Sequence, residues 1–175
     1  MVKSNEGEVV LGKSYVEQFK GQEAGPLVQF VKYGISGGLA VFVHIVIFHL
    51  VAWKIFPSLQ ENDFFIAVLG LTVTEVDVAT RSLNSMLSNG VAFVCSNMVA
   101  YIINVIWVFK PGRHHRIIEI GLFYLVSGVS MAIGTSIMGF LIRYYGMQTT
   151  YAFAANIVSA VMINYAMRKF YIFKG

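Results

Sequence analysis

The chain has 175 residues, of which 57% are hydrophobic and 13% are charged, and its formal net charge is +4. Soluble domains carry about 25% charged residues, so this composition leaves too little polar surface to cover a globule in water and favours a membrane protein. The positive charges lie beside apolar runs, which argues against nucleic-acid binding.

Residues 1–26 are polar and contain four glutamates but no long apolar run. We expect them to form a flexible or surface-lying cytoplasmic tail. The remaining residues, 27–175, are expected to form one transmembrane domain.

Charged residues divide this domain into four runs that are long enough to span a bilayer, for which ~20 apolar residues are needed. The first run ends at Lys54 and the second at Lys110, while Arg143 separates the third from the fourth. The sequence therefore predicts an all-α membrane protein with four transmembrane helices. The expected spans are about 30–53, 88–109, 118–142 and 147–170.

The connection between the first two spans, residues 54–87, is the longest in the domain. It includes the apolar stretch FFIAVLGLTVT at 64–74, whose eleven residues are too few to cross the hydrocarbon. We expect this stretch to be interfacial, re-entrant or part of an outer loop.

Four spans place both termini on the same side of the membrane. Ten lysines and arginines lie on that side and three lie on the other. Because cytoplasmic loops carry the excess of basic residues, we expect both termini and the 110–119 loop to be cytoplasmic. The 54–87 loop would then face outward.

Two short matches indicate an internal repeat. YGISG at 33–37 resembles YLVSG at 124–128, and both open an odd-numbered span. WVFKPG at 107–112 resembles YIFKG at 171–175, and both close an even-numbered span. The repeat predicts two tandem helical hairpins, related by an axis along the membrane normal.

Small residues are frequent in the odd-numbered spans. Gly34 and Gly38 form a small-xxx-small pair in the first span, and Ser130 and Gly134 form one in the third. Such faces let helix backbones approach closely in lipid. We therefore expect spans one and three to pack near the centre of the bundle.

Polar side chains within the spans are costly and need a structural or functional reason. Asn97, Tyr101 and Asn104 are spaced by four and three residues, which puts them on one helix face. Asn156 and Asn164 lie in the fourth span. Each side chain can form an interhelical hydrogen bond, or it can line a polar route for a lipid headgroup, and the sequence leaves both interpretations open.

Histidines occur in two settings. His44 lies near the middle of the first span, where it is either a neutral, hydrogen-bonded side chain or a group that responds to protons. His114 and His115 lie in a loop without cysteine or carboxylate at metal-ligand spacing. We expect no metal site and no cofactor.

Aromatic and basic residues close the second and fourth spans. Aromatic rings suit the headgroup depth of a bilayer, and adjacent cations attract anionic lipid or phosphate. Ordinary anchoring and phosphate binding both explain this pattern. The candidate residues are Lys32, Trp107, Lys110, Arg113, Arg116, Arg168, Lys169 and Lys174.

Three segments together resemble the GtrA-like family: QFVKYGISGGLAVFVHIVIFHLV at 29–51, NVIWVFKP at 104–111 and NYAMRKFYIFKG at 164–175. The resemblance covers roughly residues 28–175. It implies a small four-helix protein of the bacterial inner membrane that acts in cell-surface polysaccharide synthesis. The positions carried over are Gly37, Gly38, His44, Asn104, Trp107, Phe109, Lys110, Asn164, Arg168, Phe170, Phe173 and Lys174.

The resemblance implies translocation of a polyprenyl-phosphate-linked sugar between leaflets, beside the glycosyltransferases that make and use this lipid. An alternative is a non-transporting membrane partner that positions such a glycosyltransferase. A small-molecule exporter is less favoured, because no acidic or basic residue lies well inside a span. We expect no enzymatic activity, contacts with anionic lipid, and a homo-oligomer, because four short helices enclose little volume.

Overall fold

The computed structural model describes residues 14–109 and 116–167, and these residues are helical apart from short connections, with no strand among them. This confirms the all-α fold. The elements are α1 (Tyr15–Lys20), α2 (Pro26–Lys54), α3 (Phe64–Leu69), α4 (Val78–Ile103), a π-helix (Asn104–Val108), α5 (Arg116–Tyr145) and α6 (Thr149–Met167).

Three helical segments of the described chain are long and apolar enough to cross a membrane: Pro26–Lys54, Val78–Val108 and Phe123–Tyr145. At 1.5 Å per residue, the 29 residues of α2 extend for about 43 Å, which exceeds the thickness of the hydrocarbon core. The chain is therefore a multi-pass membrane protein. The 19 residues of α6 cover most of the predicted fourth span, whose assignment as a span stays a prediction.

The second membrane helix begins ten residues earlier than the predicted bound of 88, because Asp77 provides a strong N-cap. Its carboxylate accepts hydrogen bonds from the backbone N–H groups of Ala79 at 2.9 Å and Thr80 at 3.1 Å. The predicted loop 54–87 is accordingly shorter. Its apolar stretch forms the short helix α3, which Asp63 caps and which ends at Gly70 in the left-handed conformation.

The order of helix packing differs from the expected one. Along the described chain, α2 packs against α4, α4 against α5, and α5 against α6, whereas α2 and α5 are not a packed pair. The prediction that spans one and three meet at the centre is therefore wrong. The central helix is α4, because small residues follow its buried face; among them are Ser82, Ser85, Ser88, Ala92, Ser96 and Ala100.

Glycines on α2 and α5 have different surroundings. A Cβ added at Gly34 or Gly38 of α2 would meet no other described atom within 4 Å. On α5, a Cβ at Gly139 would lie 2.6 Å from the Met86 sulfur of α4, and one at Gly134 would collide with Asn156 of α6. Close helix approach thus depends on Gly134 and Gly139 of α5.

The two ends of the bundle are unlike. We call the end that holds residues 14–25 the tail end and the end that holds residues 55–77 the loop end. The buried apolar core lies toward the loop end, where the connecting segment folds over the helices. This core consists of Phe48, Ala52, Leu59, Ile66, Ala92, Met138, Ile142, Ala152 and Phe153.

Candidate functional site

A cavity of about 230 Å³ lies between α2, α4, α5 and α6, on the tail-end side of the apolar core. Many of the side chains in its wall are polar although they belong to apolar helices. The wall consists of Ala40, Val41, His44, Asn89, Phe93, Ser96, Asn97, Ser127, Ser130, Met131, Asn156, Ile157 and Ala160. The cavity is smaller than the ~300–1,000 Å³ of drug-sized ligand sites, so its size suits a single polar ring.

Asn89 is the centre of a hydrogen-bond network that joins all four helices. Its side-chain oxygen accepts hydrogen bonds from His44 Nε2 at 2.9 Å and from Asn156 Nδ2 at 3.1 Å. Its amide group donates to Thr135 Oγ1 at 2.6 Å. Because Nε2 of a neutral His44 carries the ring proton, Nδ1 can accept a hydrogen bond from the hydroxyl of Ser96, whose Oγ lies 2.9 Å away.

Several buried polar atoms in and beside this cavity have no hydrogen-bond partner within the described part of the chain. Among them are Asn97 Nδ2 and Asn156 Oδ1 in the cavity, with Tyr101 Oη further along α4 and Asn104 Oδ1 at the start of the π-helix. Asn97 is 9% exposed and Asn156 is 4% exposed. An unpaired buried polar group costs about 1–3 kcal/mol, so this arrangement favours a polar ligand that supplies the missing partners.

At the tail end, Lys32 lies fully buried between the tail and α4. Its ammonium donates to the carbonyl of Gly21 at 2.6 Å and lies 5.1 Å from the centre of the Trp107 ring. The indole N–H of Trp107 donates to the carbonyl of Phe19 at 2.8 Å, and the Phe19 ring contacts the indole edge-on. A cation and an aromatic ring are thus held together at this end.

The π-helix explains how the tail is attached. The π-helix is the last turn of this helical segment, and a helix terminus leaves its final backbone carbonyls without intrahelical partners. The Gln22 side chain donates to the carbonyls of Val105 and Ile106, each at 2.8 Å, and Gln29 donates to the carbonyl of Val108 at 3.5 Å. Residues 14–25 therefore lie against the end of α4.

The loop end is closed by stacked aromatic rings and a buried carboxylate. Phe48 of α2 and Phe153 of α6 stack with ring centres 3.8 Å apart, and His49 stacks on Phe65 at 4.3 Å. Asp63 is fully buried and accepts hydrogen bonds from the backbone N–H and the hydroxyl of Thr150. These contacts separate the cavity from the loop end.

The predicted site residues fall into groups. His44, Asn97 and Asn156 line one cavity, Tyr101 and Asn104 continue along the same face of α4, and Lys32 contacts Trp107. Arg116 lies at the start of α5 and Asn164 within α6, but their side chains are outside the described part. Lys110, Arg113, Arg168, Lys169 and Lys174 also lie outside the described residues.

Sequence reasoning missed Asn89, Ser96 and Thr135. Asn89 lies eight residues, or about two helical turns, before Asn97 on the same helix face. This spacing could have identified Asn89 as part of the polar face. It was overlooked because the helix was expected to begin at 88, which placed Asn89 near the membrane surface. Among the described residues, no three His, Cys, Asp or Glu side chains are arranged to hold a metal ion.

Comparison with known proteins identifies the family. The model of the GtrA/DPMS transmembrane domain matches residues 32–173. No curated protein and no solved structure matches the chain. The chain therefore belongs to the GtrA/DPMS transmembrane-domain family, as its sequence suggested, and this membership indicates a role in glycan synthesis from polyprenyl-phosphate sugars.

Proposed function

We propose that this protein moves a polyprenyl-phosphate-linked sugar from the inner to the outer leaflet of the bacterial cytoplasmic membrane. The observation that carries the proposal is the cavity between four apolar helices, which has polar side chains in its wall and buried amide atoms without a partner. In this proposal α6 is the fourth span, the tail end faces the cytoplasm and the loop end faces outward, in agreement with the distribution of basic residues.

The substrate has three parts with different needs. The sugar needs hydrogen-bond partners to leave water, the phosphate needs cations, and the prenyl chain needs lipid. The cavity wall offers an unpartnered donor, Asn97 Nδ2, and an unpartnered acceptor, Asn156 Oδ1. Uncharged groups suit sugar hydroxyls, because each hydroxyl can both donate and accept a hydrogen bond. The family role in polyprenyl-phosphate sugar metabolism supports the same assignment.

Polar groups on α4 form a continuous path toward the cavity. Asn104, Tyr101 and Asn97 follow one another on a single face, and Asn89 ends the series. The fifteen residues from Asn104 to Asn89 correspond to about 22 Å along the helix. A sugar can therefore exchange hydrogen-bond partners in steps, instead of losing all of them in one movement.

Lys32 and Trp107 stand at the entrance of this path. In the proposal, a phosphate oxygen replaces the Gly21 carbonyl as the acceptor of the Lys32 ammonium, and residues 14–25 yield to the headgroup. Basic residues outside the described ranges, such as Arg168, stay sequence-based candidates for phosphate binding. Twelve residues separate Lys32 from His44, or about 18 Å of helix, so phosphate capture precedes entry into the cavity.

The protein then acts on the position of its substrate and not on its bonds. One glycosyltransferase of the pathway makes the lipid-linked sugar on the inner leaflet, and another uses it on the outer side. Anionic lipid would surround the basic tail end. We expect a homo-oligomer, because the cavity occupies a small bundle.

The second candidate is a membrane partner that positions a glycosyltransferase without moving lipid. The exposed apolar side chains at the tail end favour it, since Tyr15, Leu27 and Phe30 are 75%, 70% and 73% exposed. Such side chains suit either bilayer or a partner protein.

Reconstitution distinguishes the two candidates. Purified protein in liposomes, with a labelled polyprenyl-phosphate sugar in one leaflet, should accelerate its transfer over protein-free liposomes. Asn97→Leu, which removes an unpartnered amide, should slow transfer by about 2- to 12-fold if one hydrogen bond to the sugar is lost. The matched control is Met98→Leu, a change at the neighbouring, 37% exposed position.

Transfer at the protein-free rate by the parental protein would refute translocation. Copurification with a glycosyltransferase would then support the positioning role. Equal rates for Asn97→Leu, Met98→Leu and the parental protein would show that sugar transfer occurs but does not use this cavity.

A further inference from the structure

The four membrane helices do not form a closed ring. Packed pairs join α2 to α4, α4 to α5 and α5 to α6, whereas α2 and α6 are not a packed pair along the described chain. They meet through long side chains near the loop end, namely in the Phe48–Phe153 stack and in a 3.1 Å hydrogen bond between His49 and Thr150. We call this gap between α2 and α6 the seam.

The filling of the seam changes along its length. Val41 lies seven residues from Phe48 toward the tail end, and Ala160 lies seven residues from Phe153 in the same direction. Seven residues make two helical turns, or about 10 Å, so these two positions lie on the same faces as the two phenylalanines and at similar depth. Val41 and Ala160 both belong to the cavity wall. Large rings thus fill the seam near the loop end, where His44 also stacks on Phe153 with ring centres 5.5 Å apart, whereas the smaller side chains of Val41 and Ala160 line it further toward the tail end.

Val41 connects the cavity with the outer surface of the bundle. It lines the cavity and is also 42% exposed, and its neighbour Ile45 is 37% exposed. Val158, beside the seam on α6, is 57% exposed. These side chains are apolar and face the lipid, so the polar cavity opens toward the bilayer between two apolar edges.

The other helix pairs leave no comparable opening. Met86 of α4 lies against Gly139 of α5, and Asn156 of α6 lies against Gly134 of α5. On the remaining side, His44 of α2 bonds Asn89 and Ser96 of α4 at 2.9 Å each. For a ligand with its polar part in the cavity and its apolar part in lipid, the seam is therefore the route with the fewest packing contacts among those described.

We infer that the seam between α2 and α6 is the binding site for the first isoprene units of the lipid-linked substrate. This inference rests on the proposed function, which supplies a ligand that is polar at one end and apolar at the other. With its sugar in the cavity, the prenyl chain leaves between Val41 and Ala160. The Phe48–Phe153 stack ends this path toward the loop end.

A photolabelling experiment tests the site without requiring transfer. A polyprenyl-phosphate sugar with a diazirine in its first isoprene units is reconstituted with the protein and irradiated, and the labelled residues are mapped by mass spectrometry. A phospholipid with a diazirine in its acyl chain is the comparison probe. The prenyl probe should label residues 40–48 and 153–160 in preference to other lipid-facing positions, and unlabelled polyprenyl phosphate should compete.

Two results of this experiment would overturn the inference. One is the same labelling pattern for both probes, which would identify the seam as ordinary lipid-facing surface. The other is prenyl labelling concentrated on α4 and α5. A further contrary result would be efficient cross-linking between two copies through Val41→Cys in a Cys95→Ser background, because a second copy would then occupy the seam.

Blocking the seam gives an independent measurement. Ala160→Trp should lower both the prenyl labelling and the rate of transfer by about tenfold or more, because a bulky side chain in a narrow gap displaces its neighbours. Val129→Trp adds similar bulk at a 53% exposed position on α5, away from the seam, and should behave as the parental protein.

The two hypotheses fail differently. If the parental protein labels at the seam but does not transfer lipid, translocation fails and the binding site stands. If the parental protein transfers lipid and Ala160→Trp transfers it equally fast, the seam assignment fails and translocation stands.

Discussion

Replacement of Asn89 by leucine tests whether the cavity network holds the bundle together. Leucine has a similar size but can neither donate nor accept a hydrogen bond. The substitution removes the acceptor used by His44 Nε2 and by Asn156 Nδ2, at 2.9 and 3.1 Å, and the donor to Thr135. Asn89 is fully buried, so water cannot readily replace these partners.

The size of the effect follows from the two donors that lose their acceptor. Interhelical hydrogen bonds in membrane proteins contribute about 0.6–2 kcal/mol each. Asn89→Leu should therefore lower the free energy of unfolding by about 1–4 kcal/mol in total. Thr135 adds little, because its hydroxyl keeps a 2.8 Å hydrogen bond to the carbonyl of Met131.

Asn97→Leu is the matched control, since Asn97 lies on the same face and its amide nitrogen has no partner in the described structure. This substitution should leave stability unchanged or raise it, because it removes an unsatisfied buried group. Reversible unfolding in bicelles, followed by far-ultraviolet circular dichroism, measures both variants. Equal losses of stability for the two, or no loss for Asn89→Leu, would refute the division between network and ligand-binding residues.

Three other predictions concern the ends of the helices. Gln22→Glu replaces the donor to two carbonyls with a charged acceptor of the same size. Hydrogen exchange of residues 14–25 should therefore become faster. Unchanged exchange would show that this contact does not hold the tail. Asp63→Ala should speed hydrogen exchange in α3 and lower thermal stability, because Asp63 holds the connecting segment on α6. Glu61→Ala, at a neighbouring exposed position, should have neither effect. Equal effects of the two substitutions would contradict a specific role for the Asp63 carboxylate. Hydrogen bonds from the side chain and backbone N–H of Thr80 lower the pKa of Asp77 below its ordinary value of 3.8. The cap on α4 should therefore be intact above pH 3.8 and be lost as the pH falls through the lowered pKa. Faster hydrogen exchange at the first turn of α4 is the readout.

The positions of the helices could be predicted because charged residues mark the ends of the apolar runs. Helix bounds were less accurate where a cap decides them. Asp77 looked like one of several acidic residues in an outer loop, yet its carboxylate starts α4 ten residues before the expected bound. A single Asp is a weak signal when no apolar periodicity follows immediately.

Helix neighbours could not be predicted from small residues alone. The glycines of α2 were the more conspicuous group, but a Cβ added at Gly34 or Gly38 would meet no described atom of a neighbouring helix within 4 Å. The serines of α4 serve that purpose instead, because a serine is nearly as small as alanine and its hydroxyl can be satisfied within its own helix. Ser85, for example, donates to the carbonyl of Arg81 at 2.8 Å.

Contacts between distant parts of the chain were beyond sequence reasoning. Gln22 lies 83 residues before Val105, and the π-helix that exposes this carbonyl has no local signature in NVIWV. The burial of Lys32 depends on the same contact. Its charge and position indicated a membrane-surface cation, but its packing against Gly21 and Trp107 follows from the fold of the tail.

The distribution of apolar and polar packing bears on how a headgroup could cross. Toward the loop end, Phe48 and Phe153 are 0% and 2% exposed and belong to a core with almost no room. Toward the tail end, polar atoms without partners continue along α4. In the proposed translocation, a sugar that enters from the tail end would therefore meet its main barrier at the aromatic stack and not at the entrance. Since packed cores change between discrete arrangements and do not deform continuously, passage to the loop end requires the two rings to separate. The seam is the place where they can separate, because there α2 and α6 are joined by side chains and not by close backbone packing.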